Sequence, residues 1–97
     1  MTRKLEKDHE DRFVEYALRR GCRAWKLIFI GRKGFPDRIV FMPGGRVIFM
    51  EFKRKGNKQS PHQDKIQKIL EGLGFNWYTP YTFEEAKEIL DVYLETP

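Results

Sequence analysis

An α/β domain with a mixed central sheet flanked by helices is the fold class that this 97-residue chain predicts. Apolar stripes at helical spacing open the chain, close it and recur between two strand-like regions. The two strongest strand-like runs, Arg38 to Met42 and Arg46 to Lys53, are apolar at both alternating sets of positions. A sheet built from them needs helices on both sides. The length allows one domain, residues 1–97, around a limited core.

Residues from about Arg3 to Arg20 predict the first helix, with Thr2 as N-cap and Gly21 as the C′ stop. Its stripe is Leu5, Phe13, Tyr16 and Ala17, with Val14 on one flank; Glu6 and Glu10 project into that stripe. A core-facing carboxylate needs a partner, unless it lies in frayed first turns where acids favour the helix dipole. Arg23 to Ile30 predicts a strand, Trp25, Leu27 and Phe29 alternating against Ala24, Lys26 and Ile28. The loop Gly31 to Pro36 then delivers Asp37; its glycines suit close approach to a phosphate, or simply a tight turn. After the hairpin and a basic loop, Arg54 to Gln59, a second helix opens with Ser60 as N-cap, Pro61 at its first position and Gln63 completing a capping box. Ile66, Ile69, Leu70 and Leu73 form its stripe and Gly74 ends it. Phe75 to Thr79 predicts a short strand, broken by Pro80. Thr82 with Glu85 predicts a second capping box before a helix carrying Phe83, Ala86, Ile89, Leu90, Tyr93 and Leu94.

The hairpin carries the chemistry. With Pro43-Gly44-Gly45 as a three-residue loop, Met42 faces Arg46, and counting back pairs Phe41 with Val47, Ile39 with Phe49 and Asp37 with Glu51. Opposed Cβ atoms lie roughly 4.5–5.5 Å apart, and like charges there repel. Something cationic is needed between the acids. Alternation places Asp37, Ile39, Phe41, Val47, Phe49, Glu51 and Lys53 on one face and Val40, Met42, Ile48, Met50 and Phe52 on the other, so the Lys53 ammonium shares the face of both acids. A hard cation such as Mg²⁺, held by one or two carboxylates and completed by water and phosphate oxygens, suits this set.

Composition points to a polyanion partner. The formal net charge is +5. Lys and Arg cluster at Arg19, Arg20, Arg23 and Lys26, then at Arg32, Lys33, Arg38, Lys53, Arg54, Lys55 and Lys58, the second group bracketing the acid pair. Phosphate contacts are expected from Arg32, Lys33, Arg54, Lys55 and Lys58. A single cysteine, Cys22, excludes an internal disulfide and a thiolate metal site. The N-terminus is charged from Arg3 without an apolar signal run and no stretch reaches membrane-span length, so a soluble cytoplasmic protein is expected. His9 and His62 lack a second histidine or cysteine at metal-ligand spacing. Trp25, Trp77, Tyr78 and Tyr81 read as core or sheet-edge residues before base-stacking ones.

Gly34-Phe35-Pro36-Asp37, the Pro43-Gly44-Gly45 hairpin, Val47-Ile48-Phe49-Met50-Glu51-Phe52-Lys53 and Ser60-Pro61-His62-Gln63 together resemble the VRR-NUC domain family of the PD-(D/E)XK nuclease superfamily, above all its stand-alone phage and bacterial members. The likeness runs from about Glu6 past Thr82 and implies a restriction-endonuclease-like fold. It places the family's Asp, Glu and Lys on Asp37, Glu51 and Lys53, its helix Gln on Gln63, and its first-helix Glu on Glu10, with Glu6 the alternative. It also implies a metal contact from the Phe52 backbone carbonyl, although an aliphatic residue is more usual there. Gln63 is left with two roles, capping its own helix or orienting a water or Lys53, which compete for one side chain.

The expected function is therefore a Mg²⁺- or Mn²⁺-dependent endonuclease. Asp37, Glu51, Glu10 and the Phe52 carbonyl would hold the metal, Lys53 would meet the charge developing on the phosphate, and Gln63 would orient the water or Lys53. The resemblance implies branched DNA such as Holliday junctions, in a bacterial or phage-infected cell. A homodimer is expected, because coordinated cuts on two strands need two centres, with Trp25, Phe29, Phe35, Trp77, Tyr78 and Tyr81 as interface candidates. The alternatives are a non-catalytic basic binding module, for which an acid pair is of no use, and a non-specific DNA nuclease.

Overall fold

The computed structural model describes the backbone of residues 2–54 and 56–97 and the side chains of residues 8–54 and 56–97. The Thr2 cap, the side chains of Leu5 and Glu6, and Lys55 lie outside the described residues. The elements run α1 (Thr2–Arg19), β1 (Arg23–Lys26), β2 (Arg38–Met42), β3 (Arg46–Met50), α2 (Pro61–Gly72), β4 (Trp77–Tyr78) and α3 (Phe83–Glu95).

The β2–β3 hairpin adopts the register counted from its loop: Met42 faces Arg46, Phe41 faces Val47 and Ile39 faces Phe49. Gly44 and Gly45 both take positive φ, 85° and 78°, which explains two glycines in a three-residue turn. β1 adds antiparallel to β2, and β4 adds parallel to β3, giving a mixed sheet of order β1-β2-β3-β4. The parallel pair requires a crossover, and α2 supplies it.

Alternation sorts the hairpin onto two cores. Val40, Met42, Ile48, Met50 and Phe52 pack under α1 and α3 with Phe13, Ala17, Ala86 and Leu90. Phe49 and Trp77 meet Ile66 of α2, with Ile39, Leu27, Phe35 and Leu70 around them. Helices thus cover both faces, as the doubly apolar strands demand, but unequally. The α1–α3 layer is also tied by polar contacts between distant residues. The Tyr16 hydroxyl donates to Asp91, which also pairs with Lys87 at 2.9 Å and with Arg20. His9 Nδ1 accepts the Phe83 N–H at 2.9 Å, and Arg46 donates to the Tyr93 and Thr96 carbonyls at the end of α3.

Several expectations need correction. β1 stops at Lys26; past the bond from the Leu27 N–H to the Asp37 carbonyl at 2.9 Å the returning chain opposite begins with Pro36, which has no N–H to carry the ladder on to Ile28 to Ile30. β4 is two residues long, although the Asn76 and Pro80 carbonyls extend its pairing with Phe49 and Lys53 at either end. On α2 only Ile66 and Leu70 meet the sheet, and Ile69 and Leu73 are exposed, since this one helix has no neighbour on its outer flank. Glu85 accepts from the Tyr81 N–H at 2.7 Å instead of closing a box on Thr82, whose hydroxyl does cap the Glu85 N–H. α2 ends as expected: Gly74 has φ 98° and the Phe75 N–H reaches back to the Leu70 carbonyl.

Candidate functional site

The site lies where β2 begins and β3 runs out. One residue beyond the last paired position, the Asp37 N–H donates to Glu51 Oε1 at 2.8 Å, so the acids expected to face each other do meet at the sheet end. Glu51 is buried; its other oxygen lies 3.6 Å from the Lys53 ammonium. Lys53 in turn donates to Gln63 Oε1 at 2.9 Å. That same oxygen accepts the Ser60 N–H at 3.2 Å, while the Ser60 hydroxyl caps the Gln63 N–H at 3.1 Å. The two roles assigned to Gln63 therefore do not compete, because a carbonyl oxygen has two lone pairs.

Asp37 is open to solvent, yet protein crowds its carboxylate from one side. This partial burial, reinforced by the negative charges of Glu51 and Glu10, raises its pKa from 3.8 to about 6 against the opposing pull of Lys26 and Lys53. Glu10 is thus near enough to be felt at Asp37, but its own carboxylate is held by Arg38 Nε at 2.7 Å. Arg38 also donates to the Ala24 carbonyl at 3.2 Å. Here the sequence reading misses two residues. Arg38, counted among the cations that bracket the acid pair, is half-buried and committed to Glu10; Lys26, counted in the first basic cluster, stands opposite Arg38 and acts on Asp37. The β1–β2 register would have placed both.

The donor chemistry fits a hard divalent ion: two adjacent carboxylates, a surplus of negative charge at Asp37, and an open end of sheet. The Glu51 and Lys53 N–H groups bond the carbonyls of Tyr78 and Pro80, so by alternation the backbone groups of Phe52 turn the opposite way, toward the Asp37 side, while its ring packs against Phe13. Among the described residues no three of His, Cys, Asp and Glu form a ready-made metal cluster, and the carboxylate of Glu10 is paired with Arg38.

The surrounding cations divide. Arg32, Lys33 and Lys58 are exposed, as is Arg54, which is engaged in a contact of its own. Gly34 seats the 31–36 loop on the first turn of α2: with φ 98°, a Cβ there would lie 2.3 Å from the His62 carbonyl oxygen. A glycine is required there by this packing. Of the expected interface aromatics, Trp77 is buried, Tyr78 is half-buried with its hydroxyl bonded to that of Tyr93, and Phe35 is half-buried beneath Phe29. Trp25, Phe29 and Tyr81 remain exposed.

No protein-family model matches the chain. A curated relative, "Putative nuclease p44" of Acyrthosiphon pisum secondary endosymbiont phage 1, is 38% identical over 65 residues, which make up 67% of this chain and 70% of the relative. Among solved structures, a chain described as a VRR_NUC domain superposes with a TM-score of 0.82 at 27% identity, covering 91% of this chain and 96% of that one.

Proposed function

The chain belongs to the VRR-NUC family, and from that premise we propose that this nuclease is a Mg²⁺- or Mn²⁺-dependent DNA endonuclease that selects branched substrates such as four-way junctions. The observation that carries the reading is the convergence of Asp37, Glu51, Lys53 and Gln63 at one open end of the sheet. Asp37, Glu51 and the Phe52 carbonyl would hold the metal, with Glu10 the third carboxylate of the set. Bound there, the ion would polarise the scissile phosphate and favour a deprotonated water. The Lys53 ammonium, fixed by Gln63 and Glu51, meets the negative charge that builds on the phosphate oxygens during attack. Gln63 acts as a positioning residue: its amide oxygen couples Lys53 to the start of α2. Exposed Arg32, Lys33 and Lys58, together with Arg54 and Lys55, would grip flanking phosphates.

The test is cleavage of labelled linear, flapped, forked and four-way DNA with Mg²⁺ or Mn²⁺. The wild type should cut the four-way substrate best, whereas Asp37→Ala, Glu51→Ala and Lys53→Ala should each lose at least about a thousandfold in rate while keeping their fold. Activity surviving excess EDTA would end the metal reading, and equal cutting of linear duplex would end the branched-DNA reading.

Coordinated cutting of two strands needs two such centres, so the enzyme is proposed to work as a homodimer. The sheet face that α2 covers only in part leaves Trp25 and Phe41 exposed, Ile69 and Leu73 are exposed on α2 and at its end, and Phe75 is exposed just beyond; these supply the apolar area for the contact. Sedimentation of the DNA-free protein at micromolar concentration should give twice the 11.7 kDa chain mass; a monomer mass with and without DNA would make it a nicking enzyme.

A further inference from the structure

The segment between β1 and β2 is anomalous for a surface loop. Ile28, Phe29 and Ile30 are consecutive and exposed to 82%, 49% and 98% of their areas. Three adjacent apolar residues in water are a liability unless they serve a function. The loop is nonetheless braced. Its stems are joined by the bond from the Leu27 N–H to the Asp37 carbonyl, Phe29 stacks on Phe35 at 3.9 Å between ring centres and 11° between planes, and Gly34 rests on the His62 backbone. The tip turns at Gly31, with φ 81° and open space around it, and continues directly into exposed Arg32 and Lys33.

We propose that this loop is a nucleic-acid wedge: Ile28 and Ile30 insert between, or stack against, unpaired bases of the DNA, while Arg32 and Lys33 hold the adjacent phosphates. Apolar side chains of this kind unstack base steps, and the cost is least where the duplex is already interrupted. The placement selects DNA over a protein partner. Two cations follow the apolar tip without a break, whereas the cores of protein interfaces are depleted of charge. The tip is also tied to the site. Ile30 is three residues from Leu27, hence within about 11 Å of it along the chain, and Leu27 is bonded to Asp37. With the strand spacing of about 5 Å from Leu27 to Asp37 added, the tip stays within about five base steps of the phosphate to be cut. The proposal rests on the nuclease reading of the site and deepens it, since it gives branched DNA a physical means of recognition.

The experiment uses the full chain and a four-way DNA in EDTA, with 2-aminopurine placed in turn at each of the bases flanking the branch. Wild-type protein should raise the fluorescence at one or two positions. Ile28→Ser/Ile30→Ser should abolish the rise and weaken binding to the four-way DNA about tenfold, leaving the salt dependence and the affinity for linear duplex unchanged. Should the double variant fold poorly, Ile30→Ser alone, at a position with almost no protein contact, decides the same question. Fluorescence and affinity like those of the wild type would overturn the proposal. So would a loss of dimer mass in the variant without DNA, which would make the segment a surface for a second copy of the chain. The nuclease reading fails separately: a wedge signal that depends on Ile28 and Ile30 in a protein that cuts nothing with either metal supports the wedge and removes the nuclease.

Discussion

The two faces of the sheet are built to different standards. On the α1–α3 side, Phe13, Val40, Ile48, Met50 and Leu90 are fully enclosed, and the helices are locked by the Tyr16–Asp91 contact, the His9 bond to Phe83 and the Arg46 grip on the end of α3. On the α2 side a single helix touches the sheet through Ile66 and Leu70, leaving Ile69 and Leu73 in solvent. Yet Asp37, Glu51, Lys53 and Gln63 sit toward this thinner side. One face holds the domain together and the other presents the chemistry, so side-chain changes on the two faces should fall on different observables.

Truncating a core residue on each face is the strongest test of that division. Leu90→Ala should cost about 3 kcal/mol, the lost transfer energy plus an unrelaxed cavity in a closed layer. Leu70→Ala, half-buried beside an open flank, should cost about 1 kcal/mol. Urea denaturation of both variants reads the difference. Equal losses would show that α2 contributes to the fold as fully as α1 and α3 do.

A second pair separates capping from positioning within α2. Ser60→Ala and Gln63→Ala each remove a bond of the same capping box and should each cost about 1 kcal/mol. Gln63→Ala also releases the Lys53 ammonium, a charge-assisted bond whose loss should lower cleavage about tenfold to a hundredfold; Ser60→Ala should stay within about threefold of wild type. Equal cleavage by the two variants would reduce Gln63 to a cap.

The same division explains what could be read from the residues. The hairpin register was legible because a Pro-Gly-Gly turn and two alternating apolar faces over-determine it, and the meeting of Asp37 with Glu51 follows from that count. Gln63 was legible as a cap by spacing, since capping is local. Contacts between residues far apart in the chain were not: the engagement of Glu10 by Arg38 spans 28 positions and that of Phe83 by His9 spans 74. Nor can alternation say where a strand loses its partner, so Ile28 to Ile30 read as strand and stand instead as an exposed loop. Helical periodicity likewise marks Ile69 and Leu73 as apolar without showing whether any layer faces them.

The smallest effect expected is a gain. In the folded protein, burial and the charges of Glu51 and Glu10 raise Asp37 from 3.8 to about 6. Between those pH values the native state keeps a proton that the unfolded chain has released, so stability is retained below about pH 4, falls through that window and carries the full penalty above pH 6. A two-unit shift corresponds to about 3 kcal/mol, which solvent screening at this open position reduces to about 1 kcal/mol. Asp37→Asn keeps the side-chain shape and removes the charge. In EDTA it should therefore melt about 4–8 °C higher than wild type at pH 8 and level with it at pH 4. Adding Mg²⁺ at pH 8 should narrow the gap from the other direction, because an ion that binds the native acid pair stabilises the wild type and not the variant. A gap of the same size at both pH values would mean that the Asp37→Asn variant gains its stability from packing of the amide, and the repulsion at the sheet end would no longer be needed to explain it.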